Sequence, residues 1–435
     1  MTDDMTGTAR ELPRWTVGRL LVLSLPCVLI GVVSALILFG LDELAAVLQK
    51  ALWSGLPALT GIDPDSPWWI LSVLTLTGLA VGLGIQLLPG HGGRDSATTD
   101  LIAPPLPLTA LPSLALVTVL GLAGGVSLGP ESPIIAINTG ILVAAFGSLW
   151  PGVSRELVVL VTAAGTIGAL FGTPVAAALV FTGVVGSMAT GALWDKLFLP
   201  LLAAGAGAVT MSLLHHPEFA VPLPAYDTVA VIDLLSASVI ALVAAAIGIG
   251  AAALFPLVHR TFRLLGHPAL YVTLGGALLG VLGIIGGPIT LFKGLEQTAA
   301  ITVNRADYSA ADLAVIVAVK VVALMIAAAA GFRGGRVFPA VFIGTAIGVL
   351  ANAVIPDIPV SLAVASGVLG MVLAIARDGW IALFIAVAVT GSVTVLAVLC
   401  IAVLPTWLLV SRAPEMLIHP PPEGSPAQAR PEPAA

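Results

Sequence analysis

Gly124-Gly125-Val126-Ser127-Leu128-Gly129-Pro130-Glu131-Ser132-Pro133 leads into the apolar run 134–149, and Gly331-Phe332-Arg333-Gly334-Gly335-Arg336-Val337-Phe338-Pro339 leads into the apolar run 340–354. Both carry a Gly-x-x-x-Pro spacing, Gly129 to Pro133 and Gly335 to Pro339. The agreement continues downstream: Pro133 to Pro174 and Pro339 to Trp380 are each 41 residues apart, and each landmark opens another apolar segment. A chain with 47 Gly and 32 Pro can produce one such match by coincidence. Two halves of similar pattern are also the mark of an inverted-repeat membrane architecture, and that is the expectation here.

Composition selects the solvent. Of 435 residues, 58% are hydrophobic and 9% charged, where soluble domains carry roughly 25% charged residues. Mean hydropathy is +1.10. A water-soluble enzyme is excluded, and at about 20 apolar residues per span the chain has room for roughly ten membrane helices. The apolar runs are continuous rather than alternating, which excludes a lipid-facing barrel. The chain reads as an all-α polytopic membrane protein. Its runs fall at 20–39, 69–88, 114–123, 134–149, 157–170, 175–185 and 197–214, then at 234–258, 269–285, 313–330, 340–354, 362–375 and 381–410. Several are too short to span alone, and short Gly- and Pro-interrupted pieces suggest broken helices around a site buried in protein.

The expected organisation is a cytoplasmic N-terminal segment (1–19), a first half (20–215), a connection (216–233), a second half (234–412) and a disordered tail (413–435) rich in Pro, Glu and Ala. Residues 1–13 are polar and too long before the first apolar run for a cleavable signal peptide. The net charge of −6 comes from 17 basic and 23 acidic residues; no basic footprint for nucleic acid exists. Cys27 and Cys400 lie inside apolar runs as small hydrophobes, so no disulfide, metal or cofactor is implied.

Glu131 is the only glutamate between Glu43 and Glu156 and sits in an apolar stretch, where an ionisable group is functional by default. A Gly-rich connection enters a helix there, with Pro133 in the first turn. Free N–H groups and the positive helix end favour an anion. A carboxylate at that place can act as a tethered anion that competes with a diffusible one; the plainer reading is an N-cap. The second motif lacks the acid, so bare N–H groups at its helix start could ligate an anion. Arg333 and Arg336 could draw anions to an entrance or anchor at the interface. Pro89-Gly90-His91-Gly92-Gly93-Arg94 is a third Gly-rich connection, where His91 could donate to an anion or sit in water. Lys320, within 313–330, should face protein and pair with a carboxylate or backbone carbonyls.

These residues together resemble the CLC chloride channels and anion/proton exchangers. Gly129 to Pro133 resembles the family's G-K/R-E-G-P motif, and Gly334 to Pro339 its G-G-x-F-x-P motif. Pro89 to Arg94 sits where a G-S-G-I-P loop belongs, and Phe171-Gly172-Thr173-Pro174 resembles F-N-x-P. Lys320 matches a basic residue often found before the G-G-x-F-x-P loop. The resemblance covers about residues 20–420 and points to a divergent bacterial branch of ion-transport proteins. It implies a homodimer in the bacterial inner membrane, with one pathway per subunit for chloride or a related small anion. Glu131 would gate it, and His91, Gly92, Gly129, Pro130, Val337 and Phe338 would surround the anion.

The departures bear on mechanism. His91 stands where the family has an anion-touching serine. The only tyrosines are Tyr226, Tyr271 and Tyr308, so the family's C-terminal tyrosine gate is absent or replaced, with Met416 or His419 as candidates. No internal glutamate follows Pro174, where 180–185 reads Val-Phe-Thr-Gly-Val-Val; Thr173 and Thr182 could help a water-mediated proton route instead. Pro130 replaces a basic residue, leaving Glu131 without its adjacent cation. Three functions stay open: channel-like or weakly proton-coupled anion permeation, proton-coupled exchange of fluoride or another anion, and a non-conducting scaffold. No Ser/His pair, paired Asp or H-E-x-x-H helix supports an enzyme; Asp378 beside Arg377 reads as an ion pair capping a helix from Trp380. Arg10, Arg14 and Arg19, with Arg260, Arg263 and Arg412, place both termini in the cytoplasm.

Overall fold

Apolar runs without lipid-exposed polar backbone can only be helices, and helices are what the computed structural model contains. It describes residues 17–149, 153–186, 193–214 and 219–419; Arg10, Arg14, His215 and most of the expected tail lie outside these. The first half holds α1 (Val17–Lys50), α2 (Leu56–Thr60), α3 (Pro67–Leu87), α4 (Leu111–Ala123), α5 (Glu131–Leu149), α6 (Arg155–Phe171), α7 (Pro174–Gly186) and α8 (Leu193–Leu214). The second holds α9 (Val231–Arg263), α10 (Pro268–Gly286), α11 (Leu295–Val303), α12 (Ala310–Ala329), α13 (Val337–Val354), α14 (Val360–Ala376), α15 (Gly379–Thr390) and α16 (Thr394–Val410). Among the described residues there is no strand, only an isolated antiparallel bridge between Gly129 and Gly335.

The halves repeat in order and length: α1 and α9 have 34 and 33 residues, α5 and α13 have 19 and 18, and α6 and α14 have 17 each. They are also inverted. The Trp53 ring just beyond α1 packs on Phe292, in the connection after α10. Arg263, ending α9, instead pairs with Asp95 in the connection 88–110. Equivalent long helices therefore run toward opposite faces. Helix α10 is antiparallel to α3: Ala269 N–H donates to Gln86 Oε1 at one end, while Gly280 abuts Leu71 at the other. Connections 51–66 and 287–294 thus share one face, and 88–110 and 264–267 share the other.

Seven helices among the described residues are long and apolar enough to cross a membrane, as a multi-pass membrane protein requires. Shorter pieces fill the interior. Every residue of α14 from Val360 to Ile375 is buried, which is why its sequence is apolar on all sides. Helices α13 and α14 approach closely because Gly344, Gly348 and Gly367 meet the opposing backbone where a Cβ would collide. The expected single run 381–410 is two helices, broken at Gly391 with φ 62°, a left-handed C-cap. Residues 413–419, expected in the tail, are packed: Ile418 N–H donates to the Ala97 carbonyl and Met416 is buried.

Candidate functional site

The α4–α5 turn and the α12–α13 turn meet at the centre of the chain. Gly129 and Gly335 exchange both backbone hydrogen bonds, N to O at 2.8 and 2.7 Å, so the start of α5 is held against the start of α13. Glu131 opens α5 and is fully buried. Its Oε1 reaches across the bridge to accept from Val337 N–H at 2.8 Å and Phe338 N–H at 3.1 Å. Those are orphan donors of the first turn of α13, the ready-made anion site of a helix N-terminus. Oε2 is buried with no partner. A Cβ at Gly129 or Gly335 would fall on the Glu131 carboxyl group; only glycine lets the two turns close around it.

The geometry sorts the other sequence candidates. Val337 and Phe338 present their N–H groups to Glu131. Gly129 directs its N–H to Gly335 rather than to an anion position, and Pro130 has none to offer. His91 is corrected: it is exposed, and its ring turns to the Ile85 carbonyl, with Nδ1 3.0 Å away. Gly92 is corrected likewise, with its N–H on Ser113 Oγ and its carbonyl on Arg333 Nε. The physical reason is a run of left-handed residues, Gly90, His91, Gly92 and Gly93 with φ between 51° and 78°, which coils the loop back on itself. Ser96 takes the inward place: it is buried, and its Oγ accepts from Gly334 N–H at 2.9 Å.

Arg333 is a clamp. It donates to the Gly92, Gly331, His91 and Gly93 carbonyls and pairs with Asp95 at 3.4 Å. Asp95 also holds Arg263, with His259 Nε2 at 3.6 Å. Burial pushes the Asp95 carboxyl up, but the neighbouring His259 and the guanidinium charges of Arg333 and Arg263 outweigh it and hold the group below the usual carboxylate range. Arg336, half-buried, borders a cavity beside the site. It donates to the Thr99 carbonyl at 3.1 Å and lines a 240 Å³ cavity with Asp100, Ser132, Val337, Ile375 and Asp378. That cavity opens from the site toward the connection 88–110.

Lys320 is fully buried and donates to three carbonyls, Thr290 at 2.8 Å, Leu291 at 3.0 Å and Phe292 at 2.7 Å. Its charge anchors a loop and does not line the cavity. Thr173 caps α7 by accepting from Val175 N–H, and Thr182 donates to the Leu179 carbonyl; both are occupied locally. Asp378 caps α15 as expected, through Trp380 and Ile381 N–H, but Arg377 turns away to the Val410 and Ala413 carbonyls and to Glu415. Of the two candidates to replace the tyrosine, Met416 is buried and His419 is exposed, paired with Glu415. Phe338 also packs among Phe171 and Phe219. Neither Phe219 nor Ser96 carries a motif, so sequence reasoning passed over both.

The sequence model described as voltage gated chloride channel matches residues 91–410. Proteins named "Putative ion-transport protein YfeO", from Shigella boydii serotype 4 (strain Sb227) and Escherichia coli (strain K12 / DH10B), are 46% identical over 407 residues, covering 94% of this chain and 97% of theirs. The fold is shared with a CLC-type fluoride/proton antiporter (TM-score 0.75, 18% identity, 92% of this chain and 98% of that one) and a slow cyanobacterial Cl⁻/H⁺ antiporter (TM-score 0.74, 16% identity, 92% and 96%). A sequence-model match across most of the chain, and relatives alike over nearly all of it, establish that this chain belongs to the voltage gated chloride channel family.

Proposed function

We propose that the protein carries small inorganic anions of the chloride class across a membrane, through one pathway per subunit that Glu131 gates. The observation behind this reading is the Glu131 carboxylate on the Val337 and Phe338 N–H groups, which stands where a monovalent anion would be bound by a helix N-terminus. When the carboxylate is protonated or displaced, those donors are free for a diffusible anion, and Arg336 is the cation of the adjoining cavity, which Asp100 and Asp378 also line. Phe338, Val337 and the two bridging glycines form the bound anion's surroundings.

Transport is channel-like or weakly coupled to protons, because 174–182 offers no acidic side chain to carry one. Proton-coupled exchange, of fluoride or another anion, is the second reading, favoured by the fold shared with a CLC-type fluoride/proton antiporter. The protein works as a homodimer in the bacterial inner membrane, with the Arg260 and Arg263 face and both termini cytoplasmic. Residues 20–215 and 234–412 are its two half-repeats.

Purified protein in liposomes tests this. Efflux of chloride, fluoride and nitrate is followed while a pH electrode records proton movement in the same vessel. Anion efflux without opposing proton flux is expected; anion-driven proton uptake selects the exchanger, and absence of flux for every anion overturns transport.

A further inference from the structure

Pro130, next to Glu131 in sequence, carries no charge, yet a cation is placed beside the turn that leads to Glu131. Lys293 comes from the second half, in the connection between α10 and α11, on the face opposite the Arg336 cavity. Its place is tightly fixed. The three residues before it have their carbonyls held by Lys320. Phe292, at φ 59°, donates its N–H to the Gly125 carbonyl at 3.0 Å and sets its ring 5.3 Å from Trp53, which itself donates to the Ala123 carbonyl. After it, Gly294 at φ 99° abuts Phe342, and a Cβ there would lie 3.7 Å from the Phe338 carbonyl. The backbone of Lys293 is thereby pinned between the turn that leads to Glu131 and the first turns of α13.

The Lys293 ammonium lies within coulombic range of the Glu131 carboxyl group, a smaller influence on it than burial and its backbone hydrogen bonds. Its one ion-pair partner among the described residues is Asp42 on α1, at 3.7 Å, with both side chains about a quarter exposed. An ion pair that long and that wet holds weakly, so a mobile anion can compete for the lysine. In the same turn as Glu131, Ser127 Oγ is buried without a partner, as is Glu131 Oε2; buried polar atoms left unpaired point to a ligand or water.

Resting on the gating role given to Glu131 above, we propose that Lys293 is the anion-collecting charge of the mouth opposite Arg336. It is held by Asp42 until a monovalent inorganic anion takes its place and is passed toward the α13 N-terminus. One cation on each side of Glu131 then serves one entrance each, both contributed by the second half.

The test is chloride flux in proteoliposomes against chloride concentration, at low and high ionic strength set with gluconate. Lys293→Met is expected to raise the half-saturating chloride concentration several-fold at low ionic strength, with the difference shrinking at high salt. Lys293→Arg is expected to keep the parent value. An unchanged half-saturation in Lys293→Met overturns the proposal, as does equal impairment of the Met and Arg variants, which would mark Lys293 as packing. Glu131→Gln is measured in parallel: if its flux responds to pH like the parent's, the gating reading fails, whereas an unchanged Lys293→Met beside an altered Glu131→Gln defeats the collecting role alone.

Discussion

Glu131 holds its place through residues that contribute no side chain. Gly129 and Gly335 close the two turns around its carboxyl group, and backbone N–H groups of Val337 and Phe338 hold Oε1. A carboxylate held this way leaves when it loses its charge, because the donors then gain more from a chloride-like anion than from a neutral acid. Flux by the parent protein should therefore rise as pH falls, by up to about tenfold per pH unit while the carboxyl group is mostly ionised. Glu131→Gln, neutral at every pH, should give flux that is flat from pH 7.5 to 5 within the measuring error of an efflux assay. Gly335→Ala tests the glycine argument separately. Its Cβ would fall on the Glu131 carboxyl group, and overpacking of this kind costs about 1–3 kcal/mol. Altered flux at pH 7.5 with a nearly intact elution profile is the expected result; parental flux would show that the turn relaxes around the methyl group.

At the scale of elements, the connection 88–110 is where reading and structure part. Motif spacing pointed to His91 and Gly92, but four successive left-handed residues turn that segment outward and bring Ser96 against Gly334 instead. Positive φ at a histidine leaves no trace in the hydropathy pattern. Helix α11 escaped notice because Leu295–Val303 mixes polar and apolar residues, and the break at Gly391 was hidden inside a continuous apolar run. What the pattern did carry was the pair of Gly-x-x-x-Pro turns and the isolated acid, because an ionisable group and a helix start in apolar sequence have few physical uses. The same connection yields a stability prediction. Asp95 ties it to α9 through Arg263 and to the α12–α13 turn through Arg333. Removing its charge leaves two guanidinium groups short of a partner, which costs roughly 2–4 kcal/mol. Because the folded carboxyl titrates below its unfolded value, near 3.9, its stabilisation is complete above that pH and is lost as pH falls through the folded value. Asp95→Asn should unfold earlier than the parent on heating in detergent at pH 7. The gap should narrow once pH drops below about 4, and a gap unchanged with pH would assign the loss to packing.

For the whole molecule, inversion is the property that places two like turns face to face. Had the halves been related in parallel, the starts of α5 and α13 would point the same way and no carboxylate could cross from one to the other. Inversion also fixes which connections share a face, and this is open to direct measurement. The connections 51–66 and 287–294 lie on one side and 88–110 and 264–267 on the other, as the Trp53–Phe292 and Arg263–Asp95 contacts require. In the proposed orientation, the Arg260 and Arg263 side is the cytoplasmic one. Cys400 is exposed and Cys27 buried, so a Cys400→Ser background should be quiet toward a membrane-impermeant thiol reagent. On that background, Asp65→Cys should label in intact cells and His267→Cys only after the membrane is opened. The reverse pattern would invert the orientation while keeping the fold; labelling of both from one side would contradict the antiparallel packing of α3 and α10 and, with it, the inverted relation on which the Glu131 crossing depends.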